Sequence, residues 1–158
     1  MRDLKRLFRS HAGTGVVDWI GLRAVRLADV EAVTGAYLGE GGLEGDHARP
    51  GKRAVTLIQA EHLPVIAGLA QRTVIKPETL RRNIMIRGIN LTALRHNRLR
   101  IGGAVVQITV QCAPCSRMEK LLGPGGYNAM RGHGGWCAEV LQPGRVTIGD
   151  RVEPILED

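Results

Sequence analysis

The chain has 158 residues, enough to bury one substantial core without disulfide staples, and its 44% hydrophobic content excludes a disordered sequence. Its net charge of +7 rests on 18 Arg and 4 Lys; guanidinium pairs bidentately with phosphate and carboxylate, which suits an anionic ligand or nucleic acid, while composition alone favours the blander reading of a solvated basic surface. Aromatics are 3% of the chain, too few for a platform that stacks single-stranded nucleic acid, and no apolar run is long enough to span a membrane.

In chain order, residues 1–12 read as a basic segment, with Arg2, Lys5, Arg6 and Arg9 around Leu4, Leu7 and Phe8. It lacks the apolar core of a secretory signal. Residues 13–158 read as a single domain. β-type runs cover 16–20, 22–27, 31–38, 54–58, 84–86, 98–101, 104–110, 136–141 and 146–148, separated by turns such as Gly102-Gly103 and Gly149-Asp150. Helical stretches are expected over 59–70, with Pro64 in its first turn, over 77–82 and over 116–122. With 21 glycines breaking the runs, the pattern predicts a mainly β fold, a barrel or sandwich carrying a few short helices. Three cysteines are no disulfide framework, and the odd count predicts a reducing compartment, the cytoplasm.

The stretch richest in chemistry is Cys112-Ala-Pro-Cys115-Ser-Arg-Met-Glu119. Ser116 and Glu119 have capping-box spacing, so a helix is predicted to start here. Cys115 then precedes the N-cap and neighbours Arg117, and both features favour a thiolate. Cys112-x-x-Cys115 has three functional readings. A redox pair suits the local strand-to-helix position but wants alternating βα units. A zinc site wants a second ligand pair, and beyond Cys137 there are only scattered histidines. The third reading is one functional thiolate, Cys115, with Cys112 as neighbour or resolving thiol; two small buried hydrophobes are the bland alternative.

Three further segments stand out. Residues 123–135 hold six glycines with Tyr127, Asn128, Arg131 and His133 between them, either an anion-cradling loop or a flexible connection. Arg81-Arg82-Asn83 sets two guanidinium groups and an amide at a strand entrance, suited to phosphate or simply to solvent. In residues 41–47, Glu44, Asp46 and His47 suit a metal or a base, or an exposed turn.

Taken in order, these segments resemble a MOSC domain, the family named for the C-terminal domain of molybdenum cofactor sulfurase. The likeness runs from Gly15-Val-Val-Asp-Trp-Ile20 through residues 42–46, 53–62, 81–90, 99–102 and 112–119 to Arg131-Gly-His-Gly-Gly135 and residues 140–150. It implies a β-barrel whose motif cysteine is Cys115, proposed in similar proteins to ligate the molybdenum of a pterin cofactor or to carry a persulfide. Some enzymes of this superfamily reduce N-hydroxylated compounds at that metal. On this resemblance Arg81, Arg82, Asn83, Arg117 and Arg131 are expected near the pterin and its phosphate, with His133 orienting substrate or a proton. Cys112 is an extra thiol for which a redox or persulfide-relay role stays open. No pyridoxal-phosphate site of its own is expected, so sulfur would come from a separate cysteine desulfurase, or electrons from a separate redox protein. The alternative roles are a sulfur carrier and, in another class, a basic nucleic-acid-binding barrel, for which only weak binding is expected.

Overall fold

A computed structural model describes residues 2–156; Met1, Glu157 and Asp158, the ends of the two predicted segments, lie outside the described residues. Its strands are β1 (Gly15–Leu22), β2 (Glu31–Val33), β3 (Gly35–Gly39), β4 (Gly42–Leu43), β5 (Val55–Gln59), β6 (Ile84–Arg87), β7 (Arg98–Ile101), β8 (Ala104–Gln111), β9 (Trp136–Gln142), β10 (Gly144–Thr147) and β11 (Arg151–Ile155). The helices are α1 (Arg2–Phe8), α2 (Leu63–Leu69), α3 (Pro77–Leu80), α4 (Arg117–Leu122) and α5 (Gly126–Met130), with 3₁₀ turns at Ala60–His62 and Leu91–Leu94.

The main sheet runs β11-β7-β8-β9-β5-β6-β1, and β11 pairs back onto β1 through Gly15 and Val16. Closure into this seven-stranded barrel removes the open edges that a flat sheet would expose. β2 extends from β1, while β10, β3 and β4 form a small second sheet. Alternation fills the barrel: along β7, Leu99 and Ile101 point in and Arg98 and Arg100 point out. Leu57, Ile84, Ile86, Val106 and Ile108 join them inside, giving an aliphatic core as the composition requires.

One barrel pair, β5 with β6, is parallel. A parallel pair needs a crossover, and the segment between these strands supplies it with α2 and α3. The helices land on the outer face of the barrel. A register shift between Val17 and Trp19 turns Trp19 to that face while Val17 stays inside. Trp19, Ile58 and Met85 are covered there by Leu63 and Ile66 of α2, Leu80 of α3, Met118 and Leu122 of α4, and Met130 of α5. Each buried aliphatic of this kind contributes roughly 1.5–3 kcal/mol, which matters because helices of four to seven residues do not hold by themselves. The Trp19 indole also donates to Glu78 Oε1 at 3.2 Å, fixing α3 against β1.

Several local expectations change in the fold. The run 22–27 is not a strand: β1 ends at Leu22 and the chain bends away. The run 31–38 splits into β2 and β3, and the glycine-rich 123–135 contains α5. Ser116 makes no side-chain cap. Glu119 reaches forward instead, accepting from the Gly125 and Tyr127 N–H groups at 3.1 and 3.0 Å and so capping α5. Gly135, at φ +88°, has no room for a Cβ against the Leu57 carbonyl oxygen, which lets β9 start hard against β5.

Candidate functional site

Cys115 is exposed and opens into a cleft of about 420 Å³. Arg81 and Arg117 line it, and so do Arg23, Arg26 and His47 from distant segments. Val25 and Leu27 form an apolar lip. Arg81 sits at the end of α3 with φ +61°, and Leu27 has φ +70°. Non-glycine residues rarely occupy this left-handed region and it costs each about 1–3 kcal/mol, so two of them on one cleft mark a place where the fold sacrifices backbone ease for position.

The buried Asp46 carboxylate orders the cleft wall. It accepts from the Arg23 N–H at 2.7 Å and pairs with the Arg23 guanidinium at 3.5 Å. The His47 N–H donates to the Arg23 carbonyl at 2.6 Å, so the 41–47 turn carries His47 into the cleft. Burial, then repulsion from Arg117 and Arg23, pushes the Arg81 guanidinium below its usual range, while Cys115 pulls the other way. Arg117 Nη1 is buried and has no hydrogen-bond partner among the described residues. The cleft thus combines a crowded set of guanidinium groups with one buried N–H that lacks a partner among the described residues.

The other expected site residues lie elsewhere. Arg82 is 7% exposed; its Nε donates to the Gly134 carbonyl at 2.7 Å and its Nη2 to the Ala113 carbonyl at 3.4 Å. Asn83 is 1% exposed, with Oδ1 accepting from the Thr56 N–H and hydroxyl and Nδ2 donating to the Gly21 carbonyl. Both hold the frame of the site and do not line its cleft, because their polar atoms are taken by backbone and Thr56. Arg131, hydrogen-bonded to Asn128 at 3.4 Å, lines a different groove of about 710 Å³ with Cys112, Tyr127 and Asn128. His133 shares a hydrogen bond with the Ala129 carbonyl at 3.3 Å and stacks edge-on with His62, ring centroids 5.6 Å apart. Burial and then the nearby His133 push the His62 imidazole pKa down.

Cys112 is tied to Cys137 rather than to the cleft. A hydrogen bond from the Cys137 thiol lowers the Cys112 pKa to about 6, against the opposing effect of burial and with help from Arg82, Arg23 and Arg53. The same hydrogen bond, with burial, pushes Cys137 well up. Sequence reading did not place Arg23 or Arg26 in the site, because 22–27 looked like a strand. The signal was the adjacent Ala24 and Val25, which break strict alternation. Among the described residues no three His, Cys, Asp or Glu side chains cluster to hold a metal, and no helix is long and apolar enough to cross a membrane.

The barrel is shared with solved proteins. The YuaD protein from Bacillus subtilis superposes with a TM-score of 0.77 at 19% identity, covering 89% of this chain and 94% of its own. YiiM from Geobacillus stearothermophilus gives 0.73 at 17% identity over 90% and 75%. YiiM from Escherichia coli gives 0.69 at 20% identity over 90% and 71%. At such identities the likeness establishes the fold alone. Comparison with curated protein sequences finds no match. The profile of the MOSC domain matches residues 26–153, from the bend that carries Arg26 to the last barrel strand, and the chain belongs to the MOSC domain family.

Proposed function

We propose that the cleft binds a molybdenum–pterin cofactor, with Cys115 as the protein's ligand to the metal and Arg81 and Arg117, backed by Arg23 and Arg26, on the pterin phosphate. The observation that carries this reading is the exposed Cys115 thiol beside an Arg117 whose buried Nη1 lacks a partner. The chain offers one soft ligand and a positive wall, which suits a metal that arrives already held by a pterin. When bound, such a cofactor supplies two-electron reduction of small N-hydroxylated substrates. The chain's own residues then divide the work. Arg81 and Arg117 neutralise the phosphate, Val25 and Leu27 shield the cleft mouth from water, and His47 adds an imidazole to the cleft wall. A separate redox protein supplies electrons, and the three free thiols suit the cytoplasm. The test is molybdenum content, measured by mass spectrometry, of protein from a host that makes the cofactor. Near-stoichiometric metal lost in Cys115→Ser supports the reading; no metal in either protein overturns it.

A second reading is favoured by the exposure of Cys115 on the loop before α4: a sulfur carrier loaded by a cysteine desulfurase. Incubation with desulfurase and cysteine then adds one sulfur atom to Cys115, and its absence from the mass spectrum removes this role.

A further inference from the structure

The C-x-x-C spacing pairs Cys112 with Cys115, but the fold gives Cys112 a different partner. β8 and β9 register Gln111 opposite Trp136, and the Cys112 N–H donates to the Gly135 carbonyl at 2.9 Å. Cys112 leaves the end of β8 opposite Gly135, and Cys137 sits two residues further along β9, so the register sets the two cysteines diagonally across the strand pair. The two differ in access. Cys112 is half-buried and lines the 710 Å³ groove beside Arg131, a groove that Cys115 does not line. Cys137 is 4% exposed behind it. Arg82 and Arg53 both lie close enough to favour negative charge at Cys112. A groove-lining thiol in a positive setting, with a shielded second thiol diagonally across the strand pair, is the arrangement of an attacking and a resolving cysteine.

We infer that Cys112 and Cys137 form a dithiol centre, separate from Cys115, that a hydroperoxide entering the groove oxidises to a disulfide. The Cys112 thiolate attacks one peroxide oxygen; an S–O bond forms, the O–O bond breaks, and the departing hydroxide takes a proton to become water. The Cys137 sulfur then attacks the sulfenic sulfur; the S–S bond forms and the S–O bond breaks. The second hydroxide leaves with the Cys137 proton as water. Two thiols lose two electrons and one peroxide gains them. The new bond ties the 112–116 loop to β9, beside the Arg82 contact to the Ala113 carbonyl that already anchors it. Oxidation in the groove is therefore transmitted to the loop that carries Cys115. This centre goes beyond the cofactor reading and does not depend on it.

The experiment treats the intact reduced protein with stoichiometric hydrogen peroxide, alkylates it under denaturing conditions and maps its peptides without reduction. Cys112 and Cys115 share the tryptic peptide 101–117, so Cys115→Ser is run in parallel to assign the sulfur. The expected result is loss of two of the three thiols, with residues 101–117 joined to the Cys137 peptide in both proteins and Cys115 still alkylated in wild type. In Cys137→Ser, Cys112 is expected to stop at the sulfenic acid and be trapped by dimedone. A disulfide between Cys112 and Cys115, or oxidation of Cys115 with Cys112 and Cys137 still reduced, overturns the inference. The wild-type and Cys115→Ser maps decide it even if Cys137→Ser does not fold.

Discussion

Arg82 Nε donates to the Gly134 carbonyl oxygen at 2.7 Å, which joins the entrance of β6 to the glycine-rich segment ahead of β9. The bond makes Arg82 a beam behind the site. Arg82→Ala strips partners from two carbonyls, and a buried acceptor left unpaired costs about 1–3 kcal/mol. Denaturant unfolding is therefore expected to show a loss of roughly 2 kcal/mol or more, with a similar loss for Asn83→Ala. Wild-type stability together with lost cofactor would move Arg82 back into the cleft.

Arg117 is the opposite case, with a buried donor that the described residues leave unpaired. A charge-assisted hydrogen bond contributes roughly 1.5–3 kcal/mol, so Arg117→Ala should weaken cofactor binding about tenfold or more. Arg81→Ala should act in the same direction. Arg131→Ala, which changes a different groove, should bind as wild type does. Titration of apoprotein with cofactor measures all three. Equal binding by Arg117→Ala and wild type would remove the phosphate assignment.

Cys112 alkylation should follow an unusual pH profile. The Cys137 hydrogen bond, resisted by burial and assisted by Arg82, Arg23 and Arg53, keeps the thiolate down to about pH 6. Modification by iodoacetamide in the Cys115→Ser background is expected to fall off as pH drops through that value. Cys137→Ala removes the main donor, so its midpoint should rise toward the ordinary thiol range. An unchanged midpoint would mean that Cys137 is not the cause.

Glu119 carries a pH-dependent contribution to folding. Its carboxyl pKa is lowered first by the Tyr127 N–H and next by that of Gly125. A depressed folded pKa stabilises above the unfolded value, and the benefit disappears as pH falls through the folded one. Glu119→Gln should be less stable than wild type at neutral pH, with the gap closing in acid. A gap that is constant from neutral to acid pH in thermal melts would remove the charge from the cap.

The barrel was legible in the order of short alternating runs, because side-chain alternation is a property of neighbours in the chain. The turn glycines and the cysteine beside Arg117 were legible for the same reason. The capping box failed because Ser116 and Glu119 have the right spacing, yet the Gly125 and Tyr127 N–H groups lie within reach of the carboxylate only once α5 folds back on α4. The same limit applied to Arg82 and Asn83, which look like solvent-facing polar residues until β5 and β9 bring Thr56 and Gly134 against them.

By itself the sequence determined the family and the aliphatic barrel, and it singled out Cys115 as the candidate thiol. Only tertiary structure decided that Arg23, Arg26 and His47 face that thiol, that Arg131 and His133 do not line its cleft, and that Cys112 belongs with Cys137. Hydrophobic periodicity and turn propensity act over a few residues and are written into local order. Electrostatic and thiol contacts between residues dozens of positions apart depend on strand register, and register exists only after the barrel has closed.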